Sequence, residues 1–337
     1  MKFVGLDVHS KHSNICILDE HGRKIKQQKI PGNWERMFAE VSRIDGPFSI
    51  CYEASCGYGH LHDKLIRIAA KVVVAHPGQL RLIYRSKQKN DRADAEKLAM
   101  LLQLDMVPTV YVPPADVREW RGMVEHRARL VGKRTRTKNG IRALLRAHGI
   151  KTPTGLWNAE GRTWLSAQKL PQSYDQIRLD MLLDELAYFD RQIDRVEALL
   201  NDRGNRDPGV MLLRTIPGIG GRTAEAMVAY IGDPHRFKNI NAIGSYIGFT
   251  PCQDQSGNRN RLGHITGDGP ATLRRLLAEA AWQGVRCSKT IKAFFDRLTR
   301  GEADRRKLAI VGTAHYLSRV MLAMLKSGEV WHERVAT

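Results

Sequence analysis

Four carboxylates stand where strand ends and a helix start would bring them together. Asp7 ends one apolar segment and Glu53 ends a later one, and both segments have the composition of buried strands. Asp91 and Asp94 lie three residues apart at the start of a helical pattern, so both can project from one face. Carboxylate oxygens suit Mg²⁺, and paired ions about 4 Å apart can stabilise the attacking and leaving oxygens of a phosphodiester. The joint placement predicts a Mg²⁺ site, although each carboxylate alone could be a turn or helix-start residue.

Two glycine-containing segments in the C-terminal half are candidates for phosphate contact. Gly218, Gly220 and Arg222 belong to the stretch I-P-G-I-G-G-R, which is typical of the hairpin in a helix-hairpin-helix. A simple turn between two helices is the alternative. Ser256 lies in the polar loop D-Q-S-G-N-R that ends at Arg259, where a hydroxyl can reach a phosphodiester. Loop serines are common, so spacing alone gives little support to a catalytic role.

Composition and charge indicate an intracellular protein that binds a polyanion. Lys+Arg 54 against Asp+Glu 35 gives a net charge of +19, and a hydrophobic content of 42% excludes wholesale disorder. This excess favours nucleic acid over an anionic membrane. The sequence has neither a signal-peptide core nor an apolar run of about 20 residues, so we expect a cytoplasmic, nucleoid-associated protein with no membrane partner.

The cysteines do not predict a metal site. Five scattered cysteines fit reduced thiols better than a disulfide framework. Cys51, Cys56, His60 and His62 lack the usual spacing of a zinc finger, and Glu53 lies among them. We therefore interpret Cys51 as a core residue.

The elements that must position the carboxylates follow from hydrophobic patterning. Strands are predicted at residues 2–7, 13–18, 23–30, 48–53 and 71–75, and helices at 34–44, 58–70 and 93–103. Strands joined by helices predict an α/β layer with a mixed sheet. The remainder of the chain is predicted to be helical, with helices from residue 271 and from about 303 to 326.

Two helical segments in the middle of the chain carry distinct signals. Residues 118–146 contain ten basic and two acidic residues, which predicts a nucleic-acid contact surface at Arg127, Lys133, Arg134 and Arg136. A solvated basic face is the alternative. Apolar residues from Leu182 to Leu200 alternate by four and three, which favours a coiled-coil seam over an ordinary amphipathic helix.

Several motifs together resemble those of one protein family. G-L-D-V-H around Asp7, Y-E-A-S-C-G-Y around Glu53 and K-N-D-R-A-D-A-E around Asp91 and Asp94 resemble the DEDD insertion-sequence transposases, the insertion-sequence one-ten family. Further matching blocks follow in the family's order: I-P-G-I-G at 216–220, G-F-T-P-C-Q at 248–253, Q-S-G-N-R at 255–259 and L-G-H-I-T-G-D-G-P-A-T-L-R-R-L-L at 262–277.

The resemblance implies a fold, an activity and partners. It implies a RuvC-like (RNase H-like) catalytic fold, a covalent nucleophile at Ser256, and a recombinase that moves an insertion sequence without loss of nucleotides. Many relatives carry two adjacent serines where this chain has Gln255-Ser256. The family also implies a structured guide RNA, encoded by the element, that pairs with donor and target DNA.

These observations predict three domains in a homo-oligomer, a dimer or tetramer. They are a RuvC-like catalytic domain at 1–115, basic helices with a coiled-coil segment at 116–205, and a helical domain bearing Ser256 at 206–337. Since the serine and the carboxylates fall in separate domains, the site could be composite between protomers. Two other functions stay open: a metal-dependent junction nuclease that uses water, and a non-catalytic nucleic-acid-binding protein.

Overall fold

The chain is organised as two compact units. The structure, a computed structural model, describes residues 1–55, 57–83, 91–256 and 259–333. Contacts divide it into Met1–Arg118 and Glu119–Thr337. The division into three domains made from the sequence stays a prediction.

The first unit is built on a five-stranded mixed sheet, as predicted. Its strands are β1 (Lys2–Val8), β2 (His12–Leu18), β3 (Lys24–Pro31), β4 (Phe48–Glu53) and β5 (Lys71–Ala75), in the spatial order β3-β2-β1-β4-β5. The pairs β1–β2 and β2–β3 are antiparallel, whereas β1–β4 and β4–β5 are parallel. Since parallel neighbours end at the same edge, the carboxyl ends of β1 and β4 lie side by side.

Helices of the first unit pack on the two faces of this sheet. They are α1 (Trp34–Val41), α2 (Tyr58–Leu65), α3 (Pro77–Ile83) and α4 (Asp91–Gln103). Val4 and Leu6 of β1 face a core that includes Met37 of α1 and Leu61 of α2. Cys51 faces the other side, where it packs with Leu98 of α4. The prediction that Cys51 is a core residue is confirmed.

A glycine allows α4 to lie directly against β1. A Cβ atom at Gly5 would stand 1.9 Å from the carbonyl oxygen of Ala95 and 2.5 Å from the amide nitrogen of Ala99. No other residue type fits beneath this helix without displacing its backbone. Gly5 therefore fixes the distance between α4 and the sheet.

The second unit is mainly helical. Its elements are α5 (Ala115–Ala147, which begins in the first unit), α6 (Ala159–Ser166), α7 (Ser173–Gly204), α8 (Pro208–Leu213), α9 (Gly221–Ile231), α10 (Ala242–Ile247), α11 (Ala271–Cys287), α12 (Lys289–Thr299) and α13 (Arg306–Ser327), with 3₁₀ turns at Pro234–Arg236 and Ala303–Arg305. The predicted helices at 271 and near 303–326 are confirmed by α11 and α13.

The heptad seam of α7 is covered by the chain's own residues. Phe189, Ile193 and Val196 are buried in one core with Val124 and Leu130 of α5. Such burial against the same chain is expected of an ordinary amphipathic helix, which was the alternative to a coiled-coil seam. The residues of the seam are therefore unavailable to a second protomer.

The C-terminal region also contains a β-hairpin, which the sequence analysis missed. Strands β6 (Pro251–Ser256) and β7 (Arg259–Ile265) pair antiparallel, with Ser256 opposite Arg259. The expectation of a helical domain with Ser256 in a polar loop was wrong here, because Ser256 is the last residue of β6. The strands are polar and exposed on both faces, so they lack the alternating apolar pattern by which strands are usually recognised.

One helix has the composition of a membrane span. In the described part of the chain, Ala303–Ser327 is long and apolar enough to cross a bilayer, and half of its most apolar window is buried. Leu317, Met321 and Leu322 of this helix are fully buried in the core of the second unit. This burial is typical of the core helix of a globular protein, which passes the same test.

Candidate active site

Asp7 and Glu53 share one edge and one face of the sheet. The parallel register of β1 and β4 pairs Gly5 with Cys51 and Leu6 with Tyr52, so Asp7 and Glu53 occupy the next step. Neighbouring strands are about 4.8 Å apart, and residues in register point to the same face. Because residues alternate along a strand, Asp7 lies on the face of Gly5, which is the face that α4 covers.

Asp7 has a histidine partner that the sequence analysis did not single out. The Nε2 atom of His9 lies 3.0 Å from Oδ2 of Asp7. The carbonyl oxygen of His9 accepts a hydrogen bond from Nε1 of Trp34 at 3.2 Å. His9 directly follows β1, two residues after Asp7, and this short spacing is the signal that could have found the pair.

Helix α4 begins at the same edge of the sheet. Ala95 lies over Gly5, while Gln103 at the other end of α4 donates from Nε2 to the carbonyl oxygen of Glu20, which follows β2. The helix therefore runs antiparallel to β1, and its first turn lies toward the end of β1 where Asp7 stands. An ion pair at 2.7 Å between Lys24 of β3 and Glu96 also connects α4 to the sheet.

Helix α4 carries the two predicted ligands Asp91 and Asp94, and of these the side chain of Asp94 is described. Asp94 is partly exposed, and its Oδ1 atom pairs with Nζ of Lys97 at 3.1 Å. Asp91 is the first residue of α4, and its side chain lies outside the described part. Among the described side chains, no three His, Cys, Asp or Glu residues form a cluster that could hold a metal ion. The backbone thus brings the elements together, whereas a complete ligand set is not described.

Ser256 ends strand β6 in the other unit. Its side chain and that of Arg259 lie outside the described part, as do residues 257 and 258. The described side chains of the hairpin's two strands are exposed. The predicted nucleophile and the predicted metal ligands are therefore carried by different compact units.

The base of the hairpin is tightly fixed. Gly248 (φ +82°) and Gly269 (φ +80°) pack so closely that a Cβ on either would stand 2.0 Å from a carbonyl oxygen. The Nη1 atom of Arg274 donates to the carbonyl oxygens of Ile247 at 2.8 Å and Asp268 at 2.7 Å. The arm that carries Ser256 is thus anchored to α10 and α11.

Two of the four predicted nucleic-acid contacts on α5 form ion pairs inside the chain. Arg127 pairs with Glu197 of α7 at 2.5 Å, and Arg134 pairs with Asp190 at 3.1 Å. Asp190 also pairs with Arg162 at 2.8 Å. Burial acts to raise the pKa of Asp190, but its two arginine partners outweigh this effect and lower it. Arg127 and Arg134 are therefore poorly available to a phosphate.

The other two predicted contacts, Lys133 and Arg136, line a groove between α5 and the start of α11. Its volume is about 410 Å³, and its lining includes exposed Arg129, Lys133, Arg136 and Arg275. Gly132 lies in the same lining, and nothing lies within 4 Å of the position of a Cβ there. The described structure pairs Arg275 with Glu279 only at 3.9 Å and gives no ion pair to the other three. Arg129 and Arg275 were not predicted from the sequence.

One carboxylate stands in this groove. Glu125 accepts a hydrogen bond at Oε2 from the hydroxyl of Thr272 at 2.9 Å and another at Oε1 from the hydroxyl of Tyr230. Four basic side chains against Glu125 leave the lining positively charged. The groove therefore suits an anion.

The glycine-rich turn before α9 is only partly exposed. Gly218 (φ +87°) packs against the backbone of α11, where a Cβ would stand 2.5 Å from the amide nitrogen of Gly284. Gly220 is exposed at the N-terminus of α9. Arg222 is mostly buried and pairs with Glu225 at 2.8 Å and with Asn201. Of these three predicted phosphate contacts, Gly220 alone is exposed.

Glu225 carries a pKa shift with a testable consequence. It is buried, and its Oε2 atom has no hydrogen-bond partner among the described residues. Burial raises the pKa of Glu225 from 4.5 to about 7, and Arg222 and Arg127 oppose the shift only in part. The folded chain therefore binds more protons than the unfolded chain between about pH 4.5 and 7. The stabilisation that protonation provides is complete below this range and is lost as the pH rises through it.

We expect the free energy of unfolding to fall by up to about 3 kcal/mol across this window, since one pKa unit corresponds to about 1.4 kcal/mol. Glu225→Gln should reduce the pH dependence of the free energy of unfolding, because glutamine does not titrate. Thermal unfolding of both proteins between pH 5 and 7.5 measures it. Glu279→Gln, an exposed position, should keep the wild-type slope. If stability changes with pH in Glu225→Gln as steeply as in wild type, another group causes the pH dependence.

Comparisons with known proteins match both ends of the chain. A DEDD-type family model described as "Transposase" matches residues 4–150, and one described as "Transposase IS116/IS110/IS902 family" matches residues 210–296. A probable family 20 transposase of Pseudomonas aeruginosa is 27% identical over 96% of both chains. The transposase for insertion sequence element IS1111A of Coxiella burnetii is 26% identical over 83% of this chain and 77% of its own. A pilin gene-inverting protein of Moraxella lacunata is 27% identical over 39% of this chain and 47% of its own.

Proposed function

The chain belongs to the IS110 family of transposases and is a DNA transposase, and we propose that it is an RNA-guided recombinase using four carboxylates and a serine. It cuts DNA strands of an insertion sequence and rejoins them. The observation that carries this proposal is the shared edge and face of Asp7 and Glu53, over which α4 begins.

The N-terminal carboxylates are proposed as ligands of Mg²⁺. Asp7, Glu53, Asp91 and Asp94 offer oxygen donors alone, the type that this hard cation prefers. A bound ion would supply positive charge at the scissile phosphate. His9 orients Asp7 through the contact at 3.0 Å, and Lys97 holds Asp94 through its ion pair. These contacts reduce the freedom of two carboxylates before substrate binds.

Ser256 is proposed as the nucleophile. Its hydroxyl oxygen forms a bond to the phosphorus, and the phosphodiester bond to the leaving sugar oxygen breaks. The serine gives up its proton and the leaving oxygen takes one up, so no net proton is consumed. The resulting phosphoserine conserves the bond energy needed for rejoining. What supports this role is the position of Ser256 on an exposed arm with a rigid base.

The proposed partners are donor DNA, target DNA and a structured guide RNA encoded by the element. The proposed location of the protein is the cytoplasm. The net charge of +19 supports polyanionic partners. Base pairing by the RNA would supply the sequence specificity, and the protein would contact backbones. We further propose a homo-oligomer, because the serine and the carboxylates lie in different units.

RNA guidance is tested by sequencing the RNA that co-purifies with the protein expressed from its native locus. We expect one discrete transcript with segments complementary to donor and target sequences. Ribonuclease treatment should remove cleavage, and the transcript made in vitro should restore it, while an unrelated RNA of equal length should not. Cleavage at full rate after ribonuclease treatment would contradict guidance by RNA.

The groove between α5 and α11 is proposed as a backbone contact. We expect a smaller slope of log affinity against log salt in Arg129→Gln, Lys133→Gln and Arg136→Gln, by about 0.7 to 0.9 in each. The reason is that a protein with one phosphate contact fewer displaces fewer counterions when it binds. Filter binding at several salt concentrations, with RNA and with duplex DNA, measures this slope. Arg134→Gln, which removes a paired charge, should leave the slope unchanged.

A second pair of variants tests the shape of the groove. Gly132→Leu places a larger side chain at the groove, where nothing lies within 4 Å of the added Cβ, and should lower the affinity for RNA and duplex DNA. Gly122→Leu is the matched control on the same helix, since Gly122 has equally open surroundings. Equal affinities and slopes in both variants would remove the groove from the binding surface.

A further inference from the structure

Trp34 lies between the two loops that follow the strands carrying Asp7 and Glu53. It is the first residue of α1, and the side chain of Asn33 caps this helix by accepting a hydrogen bond from the amide of Arg36 at 3.3 Å. The indole is half-buried and packs against the core of the first unit. It combines a large rigid ring with one hydrogen-bond donor, and each of these contacts a different loop.

The N–H group of the indole holds the turn after β1. Nε1 of Trp34 donates to the carbonyl oxygen of His9 at 3.2 Å. The amide of His9 in turn donates to the carbonyl oxygen of His12 at 3.0 Å, so the acceptor belongs to the turn that joins β1 to β2. The imidazole of His9 lies 3.0 Å from the carboxylate of Asp7. Trp34 therefore fixes the backbone from which His9 reaches Asp7.

The far end of the same ring touches the loop after β4. A Cβ added at Gly57 would stand 2.4 Å from Cη2 of Trp34, and Gly57 has a φ of +81°. Glycine adopts this conformation without strain and leaves room for the ring. The hydroxyl of Tyr52 closes the loop by donating to the carbonyl oxygen of Tyr58 at 2.6 Å. The indole therefore contacts the backbone four residues after Glu53.

Aromatic neighbours restrain the orientation of the indole. His60 of α2 stacks on Trp34, with ring centroids 6.0 Å apart and an angle of 23° between the planes. Phe38, one turn further along α1, meets His60 edge-on at 6.3 Å. Aromatic side chains packed in this way have few alternative rotamers that avoid a clash. Trp34 is therefore a rigid link between the turn at His9 and the loop at Gly57.

We propose that Trp34 is a positioning residue for the metal site, which sets the separation of Asp7 and Glu53 by joining the loops that follow β1 and β4. This inference rests on the proposed function of these two carboxylates as ligands of Mg²⁺. The ion requires nearly octahedral geometry with bonds of about 2.0 to 2.1 Å, so a small change in the separation of its ligands weakens binding. A residue with a purely structural role would change stability and leave metal affinity unaltered.

Metal affinity of the full chain is measured with Mn²⁺, which takes the same oxygen ligands and whose free ion is counted by electron paramagnetic resonance. Trp34→Phe removes the N–H group and the outer ring atoms that contact Gly57. It should raise the dissociation constant for Mn²⁺ about 10- to 100-fold, the usual cost of losing a residue that orients metal ligands. Phe38→Leu is the matched control, because Phe38 lies on the same helix and packs against the same core. It should lower thermal stability and leave the dissociation constant unchanged.

A change on the other side of the contact tests the link from the loop. Gly57→Ala places a Cβ where the indole lies and should also weaken Mn²⁺ binding. Gly46→Ala controls for backbone strain, because Gly46 has a φ of +72° and nothing within 4 Å of an added Cβ, and it should bind Mn²⁺ as wild type does. In a chain with Trp34→Phe the ring no longer fills that space, so Gly57→Ala should cost less affinity there. Equal costs in the two backgrounds would overturn the link.

The carboxylate variants separate this inference from the proposed function on which it rests. If Asp7→Ala and Glu53→Ala weaken Mn²⁺ binding while Trp34→Phe binds as tightly as wild type, the positioning role is wrong and the metal site stands. If neither carboxylate variant weakens binding, the metal site and the positioning role are both wrong. Circular dichroism checks that each variant is folded, and the comparison of Gly57→Ala with Gly46→Ala decides the question should Trp34→Phe fail to fold.

Discussion

Asp7→Ala, Glu53→Ala, Asp91→Ala and Asp94→Ala are each expected to reduce strand cleavage by at least about 100-fold while leaving a folded protein. The physical reason is that each removes an oxygen donor proposed for Mg²⁺, and loss of even an outer-shell partner of a metal costs 10- to 100-fold. Cleavage of labelled DNA at matched metal concentration measures the effect.

The control for this series is a carboxylate at the other end of β4. Asp45→Ala changes an exposed residue that precedes the strand, so cleavage should stay at the wild-type rate. Circular dichroism and thermal unfolding separate a loss of chemistry from a loss of fold. Full cleavage by a variant that combines Glu53→Ala with Asp91→Ala would rule out the proposed metal site.

Ser256→Ala is expected to give neither nicked DNA nor a protein–DNA adduct. With a substrate that cannot rejoin, wild type should remain covalently attached to a DNA end, and the product should require the divalent ion. Denaturing electrophoresis of labelled DNA, with and without protease, detects the adduct. Metal binding by the other unit should persist in Ser256→Ala, because the proposed ligands are not on the hairpin.

Two further variants sharpen this experiment. Ser256→Cys should react slowly or not at all, because a thiolate is less suited to a hard Mg²⁺ site. Gln255→Ala changes the preceding residue of β6 and should retain the adduct. Nicking by Ser256→Ala at the wild-type rate, with no protease-sensitive band in wild type, would mean that water attacks. The protein would then use its carboxylates as a metal-dependent nuclease does.

The elements that carry the proposed metal ligands could be predicted because their signals are local. The apolar segments that end at Asp7 and Glu53 form β1 and β4, and the helical pattern that starts near Asp91 forms α4. Their convergence required only that parallel strands end at one edge. The contact of His9 with Asp7 was missed, although only one residue separates them in the sequence.

Pairings between distant residues could not be predicted. The sequence gives the positive charge of α5, but it does not reveal that Arg127 meets Glu197 or that Arg134 meets Asp190 across 56 to 70 residues. These ion pairs divide the basic run into charges that hold α5 to α7 and charges that remain exposed. Arg222 was likewise predicted to contact phosphate but is mostly buried beside Glu225.

The hairpin was missed for another reason. Its strands are exposed on both faces, so hydrophobic alternation is absent. The two-residue connection Gly257-Asn258 was the available signal, since such pairs are typical of tight hairpin turns.

A two-stranded hairpin is only marginally stable in water by itself. The β6–β7 arm has a rigid base at Gly248 and Gly269, yet the described side chains of its strands bury nothing. We therefore expect the contacts that the arm makes with its substrate to supply further stabilisation of the two strands. With Ser256 as the proposed nucleophile, contact with the correct DNA would couple recognition to strand breakage. Such coupling would protect other DNA, because contacts with an incorrect sequence would supply less of that stabilisation.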